Sequence, residues 1–301
     1  AAPDPTADPA APDPTADPAG GRTLASAPGF GARLRTAMGT FGQGCVGLDP
    51  HPQILRDWGL RHDADGLARF AQICIEAFAG QVTAVKPQSA FFEEHGSRGI
   101  AVLEQILDAF RGSGTLTILD VKRGDIGSTM SGYARAYLAP GARLSADAIT
   151  LSPFLGFESL RPALDLAAEH ERGVFVLALT SNPEGAQVQL ATGASGTVAA
   201  SIVAGAAAEN ARAGGELGNV GLVIGATVGQ ALAQAGIDLA SANAPILAPG
   251  FGAQGARLAD GPELFGAAWP NVVPTSSREI LAAGPDPAAL RERAKVALPL
   301  N

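Results

Sequence analysis

The chain has 301 residues, 47% hydrophobic and 17% charged, with 38 glycines and 22 prolines. That is enough apolar material for a large core, and it excludes coiled coil, collagen and wholesale disorder. No run of about 18 apolar residues occurs, so no membrane-spanning helix is expected, and a net charge of −8 argues against nucleic acid as a general partner.

The nonapeptide APDPTADPA occurs at 2–10 and again at 11–19. Proline blocks both helix and ladder there, and nothing large and apolar is present to bury. Residues 1–27 are therefore expected to form a disordered tail. It lacks the basic start and apolar centre of a signal peptide. Asp4, Asp8, Asp13 and Asp17 give residues 1–19, which contain no basic residue, four of the net negative charges. The two cysteines, Cys45 and Cys74, are too few for a disulfide framework and read as buried thiols of a cytoplasmic protein.

From residue 28 the texture changes. Apolar or β-branched runs occur at Gly44–Asp49, Val82–Lys86, Thr115–Lys122 and Asp147–Ser152. They continue at Val174–Thr180, Val220–Gly225, Pro245–Pro249 and Asn271–Thr275. These runs do not alternate with polar residues, which is how parallel strands covered on both faces read. Amphipathic stretches separate them, among them Ala64–Gly80, Gly99–Arg111, Leu160–His170 and Thr197–Ala213. Eight strand–helix repeats predict a (β/α)8 TIM barrel over 28–301, as a single domain. A doubly wound sheet would more usually carry a glycine-rich turn after its first strand, where this chain has Asp49-Pro50-His51-Pro52. The stretch Ser181–Gly196 is long for a connection and is a candidate lid.

Barrel chemistry sits at the carboxyl ends of the strands. Those ends carry Asp49, Lys86, Asp120, Lys122, Ser152, Thr180 and Ser181, then Gly225, the loop GFGAQG at 250–255, and Ser277 with Arg278. Charges beside a core are costly unless paired. Only three lysines occur (Lys86, Lys122 and Lys295), which leaves 18 arginines among the 21 basic residues. Two of the three stand at predicted strand ends, and lysine, unlike arginine, can give up a proton. Asp120 and Lys122 are two apart on a strand and so share a side. With Lys86 and Asp125 they form an alternating set whose pairing keeps lysines protonated and aspartates ionised. The 250–255 loop with Arg278 matches a barrel phosphate site. His51, His62, His95 and His170 are scattered, and no metal-ligand spacing is evident.

These motifs together resemble the orotidine 5′-phosphate decarboxylase family, in its bacterial subgroup. The resemblance runs from Phe41 to Asp286 and rests on VGLDPHP (46–52), VKPQSAFFE (85–93), DVKRGDIGSTM (120–130) and SPFLGFESLRP (152–162). It continues through TSNPEGAQVQ (180–189), IGATVG (224–229), APGFGAQG (248–255) and SREIL (277–281). It implies a homodimeric barrel that converts orotidine 5′-monophosphate to uridine 5′-monophosphate and CO2 in pyrimidine biosynthesis, with no cofactor and no metal. It implies that Asp120 faces the substrate carboxylate, that Lys122 protonates C6, and that Lys86 holds Asp120 and a ribose hydroxyl. Asp125 would reach the neighbouring subunit's site, with Thr129 near the ribose. Asp49 would bind ribose, Ser181 the pyrimidine, Gln254 and Arg278 the phosphate, and Gln189 would add a contact from the lid. Ser152-Pro153-Phe154 stands where many members have Asn-Pro-Tyr, so the resemblance assigns no role to Ser152 and leaves the chemistry as it is. The alternatives are a magnesium-dependent phosphosugar barrel of the 3-keto-gulonate 6-phosphate decarboxylase type, and a non-catalytic nucleotide-binding barrel.

Overall fold

The computed structural model describes residues 28–194, 196–252 and 255–301. The repeat segment within 1–27 and the candidate phosphate ligand Gln254 lie outside them. All eight predicted runs form strands, each within two residues of its expected limits: β1 (Cys45–Leu48), β2 (Ala84–Pro87), β3 (Leu116–Arg123) and β4 (Ala148–Leu151), then β5 (Gly173–Leu179), β6 (Val220–Ile224), β7 (Ile246–Pro249) and β8 (Val272–Ser276). Every strand pairs in parallel with its neighbours in sequence, and β8 closes on β1 through Cys45 opposite Thr275. The result is a closed TIM barrel.

Strand periodicity sorts the side chains into two cores. Val46, Leu48, Val85, Leu119, Ile149, Leu151, Val174 and Val176 face outward and pack beneath the helices. Cys45, Ala84, Ile118, Ala148, Phe175, Val223, Leu247 and Val273 point into the barrel. The helix Phe30–Phe41 plugs the floor, with Phe30 edge-on to Phe175 at 5.8 Å between ring centroids. One step further along the same inward rows, the residues become Gly47, Lys86, Asp120, Thr150 and Thr275. The barrel interior is thus apolar at its floor and charged at its mouth. Burial pushes the Cys45 thiol up to about 12, and Cys74 is raised by burial as well, so both are protonated, inert free thiols.

The surrounding helices follow their amphipathic patterns. The helix Ala64–Phe78 starts at Asp63, whose carboxylate accepts from the N–H groups of Asp65 and Gly66. The predicted lid folds into a short 3-10 turn, Pro183–Gly185, a single helical turn, Ala186–Gln189, and a two-stranded hairpin of Thr192–Gly193 with Gly196–Thr197. Among the described residues no helix is long and apolar enough to cross a membrane.

Candidate active site

A cavity of about 720 Å³ opens at the carboxyl ends of the strands. Its wall includes Asp49, Lys86, Asp120, Lys122, Ser181, Gln189 and Arg278, seven of the ten residues singled out in the sequence.

Asp120 is the centre of the arrangement. Only 6% of it is exposed, yet its carboxylate accepts four hydrogen bonds. Lys86 Nζ (2.9 Å) and Gln88 Nε2 (3.0 Å) donate to Oδ2. Lys122 Nζ (2.6 Å) and Thr150 Oγ1 (2.8 Å) donate to Oδ1. Burial alone would raise this carboxyl, but Lys86, then Lys122, and their hydrogen bonds hold it well below the usual carboxylate range. Burial likewise opposes the Lys86 charge, and Asp120 and Asp49 together lift its pKa above the ordinary lysine value. Asp120 and Lys86 are therefore held as a fixed pair of full charges at neutral pH.

Lys122 arrives by a route that simple alternation does not describe. The β3–β4 ladder shifts register between Leu119 and Arg123, and Lys122 takes φ 45°, in the left-handed region that lysine rarely occupies. Such a conformation costs on the order of 1–3 kcal/mol and persists only where its surroundings impose it. Thr150 does so: its hydroxyl oxygen accepts from the Lys122 N–H (2.9 Å) while its proton goes to Asp120. Asp120 and Lys122 do share a side, as expected, but a break in the strand and a threonine bring them together. Thr150→Val keeps the volume, leaves the Lys122 N–H without its partner and removes one of the four donors to Asp120. It is expected to lower stability by about 1–3 kcal/mol and kcat by about tenfold or more through a displaced Lys122. Thermal unfolding and steady-state kinetics on the same preparation check both.

Asp49 Oδ1 lies 3.9 Å from Lys86 Nζ, and both it and Ser277 Oγ are buried without a hydrogen-bond partner. An unsatisfied acceptor and an unsatisfied hydroxyl on one cavity wall suit a ligand that brings hydroxyl groups of its own. Gly47 makes room for this pair, because a Cβ there would come within 2.6 Å of Ser277 Cβ. Gly250, Phe251 and the β8 end Ser276–Arg278 also line the wall. Gly250 and Gly252 both have positive φ, and the exposed Arg278 opens a short helix. Gln189 turns its amide back onto Thr180, accepting from its N–H (2.9 Å) and donating to its Oγ1 (2.8 Å).

Three expectations change. Asp125 and Thr129 do not line the cavity of their own chain. Asp125 lies past the end of β3, its carboxylate accepts from the N–H of Ile126 (2.8 Å), and it has no salt bridge among the described residues. One chain thus assembles Asp49–Lys86–Asp120–Lys122, not a set that includes Asp125. Ser152 is likewise outside the cavity, and its N–H donates to the Arg123 carbonyl. The histidines are not all scattered: His51 lines the cavity, and His62 and His95 meet beside Glu94, away from it. Sequence reading missed Gln88 and Thr150. Each is two residues from a residue that it noted (Lys86 and Ser152).

Known proteins match both the sequence and this geometry. The profile of the Orotidine 5′-phosphate decarboxylase / HUMPS family matches residues 43–293. The orotidine 5′-phosphate decarboxylase of Salinispora arenicola is 55% identical over 265 residues, covering 88% of this chain and 94% of its own. That of Streptomyces coelicolor is 54% identical over 272 residues, covering 88% and 94%. A crystal structure of a Streptomyces avermitilis protein ascribed the same activity superposes with a TM-score of 0.86 at 53% identity, covering 90% of this chain and 94% of that one. With a closed barrel, the charged mouth and matches of this extent, the chain belongs to the orotidine 5′-phosphate decarboxylase family.

Proposed function

We propose that this chain decarboxylates orotidine 5′-monophosphate to uridine 5′-monophosphate and CO2, a step of pyrimidine biosynthesis. The observation that carries the reading is the Lys86–Asp120–Lys122 array, fixed and fully charged at the barrel mouth. Loss of CO2 breaks the C6–carboxyl bond and leaves its electron pair on a ring carbon with little delocalisation. The Lys122 ammonium stabilises that pair as it forms and then transfers a proton from Nζ to C6. Asp120 faces the departing carboxylate. Two like charges about 4 Å apart repel by roughly 4 kcal/mol at an effective dielectric near 20. The larger contribution is the pre-organised ammonium, which needs no rearrangement during the reaction.

The remaining residues hold the substrate. The orphaned Asp49 oxygen suits a ribose hydroxyl, with Lys86 shared between that hydroxyl and Asp120. Ser181 serves the pyrimidine. Arg278, Gln254 and the glycine-rich loop serve the phosphate, with Gln189 adding a contact when the 181–196 segment closes. No step in this scheme calls for a metal or an organic cofactor.

The active form in this reading is a homodimer with shared sites, in the cytoplasm. Asp125 and Thr129 stand outside their own cavity, and large apolar side chains are exposed at Ile126 (62%), which follows Asp125, and in the loop after β4 at Phe154 (76%) and Leu155 (54%). A second copy seated there buries these groups and receives Asp125 and Thr129 near its ribose. Lys122→Ala and Asp125→Asn, each inactive alone, are then expected to regain about a quarter of wild-type sites when mixed at equal amounts. Half the dimers are hybrids, and one site in each is intact. Mixing with proven subunit exchange and no recovery removes the shared site.

The activity itself is tested by ultraviolet absorbance, with orotidine 5′-monophosphate, purified full chain and excess chelator. Rapid loss of the orotate band is expected. An unchanged band from folded dimer overturns the reading and moves the case to the magnesium-dependent sugar-phosphate branch or to a binding-only barrel.

A further inference from the structure

We propose that His62, Glu94 and His95 form a binding site for a divalent transition metal, with Zn2+ as the best fit, separate from the active-site cavity. The three residues come from two segments. His62 stands in the turn before the helix Ala64–Phe78, and Glu94 and His95 stand between the short helix Ala90–Glu93 and the helix Gly96–Phe110. Their ligand atoms all lie within 4.8 Å of one another. His62 Nε2 is 3.3 Å from Glu94 Oε1, and His95 Nε2 is 3.8 Å from the same oxygen. A tetrahedral zinc ion with bonds of about 2.0–2.2 Å needs ligand atoms about 3.4 Å apart; the two Glu94 contacts are close to that, and the His62–His95 pair, within 4.8 Å, is brought in by a swing of the exposed His62 side chain.

A simple histidine–carboxylate hydrogen bond accounts for His62 and Glu94. It does not account for His95. Its side chain is only 12% exposed, and its Nε2 is buried with no hydrogen-bond partner. A buried polar atom left without a partner is unfavourable, and it is rare enough to require a cause. The two imidazoles meet edge to face, 5.1 Å between centroids, with Glu94 between their Nε2 atoms. Two imidazoles and one carboxylate suit Zn2+, Co2+ or Ni2+, and poorly suit Mg2+ or Ca2+, which favour oxygen ligands throughout. Three protein ligands leave a fourth position for water.

The location says what the ion does. None of the three residues lines the active-site cavity. The segment they clasp follows β2, which delivers Lys86, and next to it Phe91 packs on His51 of the cavity wall at 4.3 Å. A bound ion ties this connection to the turn before Ala64–Phe78 and stiffens one wall of the site without touching the reacting atoms.

The test uses full-chain protein stripped with chelator, then dialysed against Zn2+. Metal content and thermal unfolding are read in wild type, His62→Gln and His95→Ala. His62 is exposed, so His62→Gln keeps the fold. The wild type is expected to retain one Zn2+ per chain and to gain about 5 °C in Tm, with both lost in His62→Gln. A wild type that retains no zinc overturns the proposal, and so does equal zinc retention in wild type and both variants. Neither readout depends on decarboxylation, so the metal site and the proposed function fail separately.

Discussion

Lys122→Ala is expected to lower kcat by about 10⁴- to 10⁷-fold and to leave the barrel folded. A positioned general acid contributes roughly 10²–10⁴-fold, and removing one pre-organised charge stabiliser costs roughly another 10²–10³-fold. Lysine 122 holds both roles in one atom, so truncation removes them together. The fold tolerates the change because the Lys122 side chain is 45% exposed, and Asp120 keeps three of its four donors in Lys86, Gln88 and Thr150. Lys122→Arg separates the two roles. It keeps the positive charge but cannot release a proton near neutral pH, so it is expected to remain far below wild type. Single-turnover decarboxylation, with circular dichroism and Tm on the same samples, checks both variants. Near-normal turnover in Lys122→Ala removes Lys122 as the proton donor.

Much of this site was legible because a parallel barrel leaves a plain trace in sequence. Strands covered on both faces read as unbroken apolar runs, and a charge at the end of such a run stands out. Asp49, Lys86, Asp120 and Lys122 were found that way. Thr150 was not, because a threonine within a β-branched run carries no signal of its own; its role comes from the break in the β3–β4 ladder. The left-handed backbone of Lys122 was equally hidden, since local propensity disfavours it and only Thr150 and Asp120 enforce it. The alternating charge set read from the sequence included Asp125, which does not line the cavity, for a topological reason. It lies past the strand end, where alternation no longer says which way a side chain points. His62 and His95 lie on separate helix–loop units, and no short ligand spacing joins them until the helices pack.

Asp120→Asn is expected to affect stability and catalysis together, and their pH dependences tell the two apart. Asparagine keeps the shape but removes the charge facing Lys86, whose side chain is only 8% exposed. Breaking a buried pair costs about 3–5 kcal/mol, and Asp49 at 3.9 Å offsets part of it, so a loss of about 2–3 kcal/mol is expected. The signs follow from the shifts. The Asp120 pKa is depressed in the fold, so its contribution is present above the unfolded value of about 3.9 and is lost as pH falls through the folded value. The Lys86 pKa is raised, so its contribution is present below about 10.4 and is lost as pH rises through the folded value. The deficit of the variant is therefore flat from about pH 5 to 9 and narrows below pH 4. In catalysis, removing a negative charge beside the substrate carboxylate eases binding, so KM falls. The ammonium of Lys122 loses its fixed partner, so kcat falls further, by about 10³-fold or more. A fall in kcat with KM unchanged assigns Asp120 to positioning Lys122 alone. A deficit that keeps growing below pH 4 contradicts the depressed carboxyl on which the charged array depends.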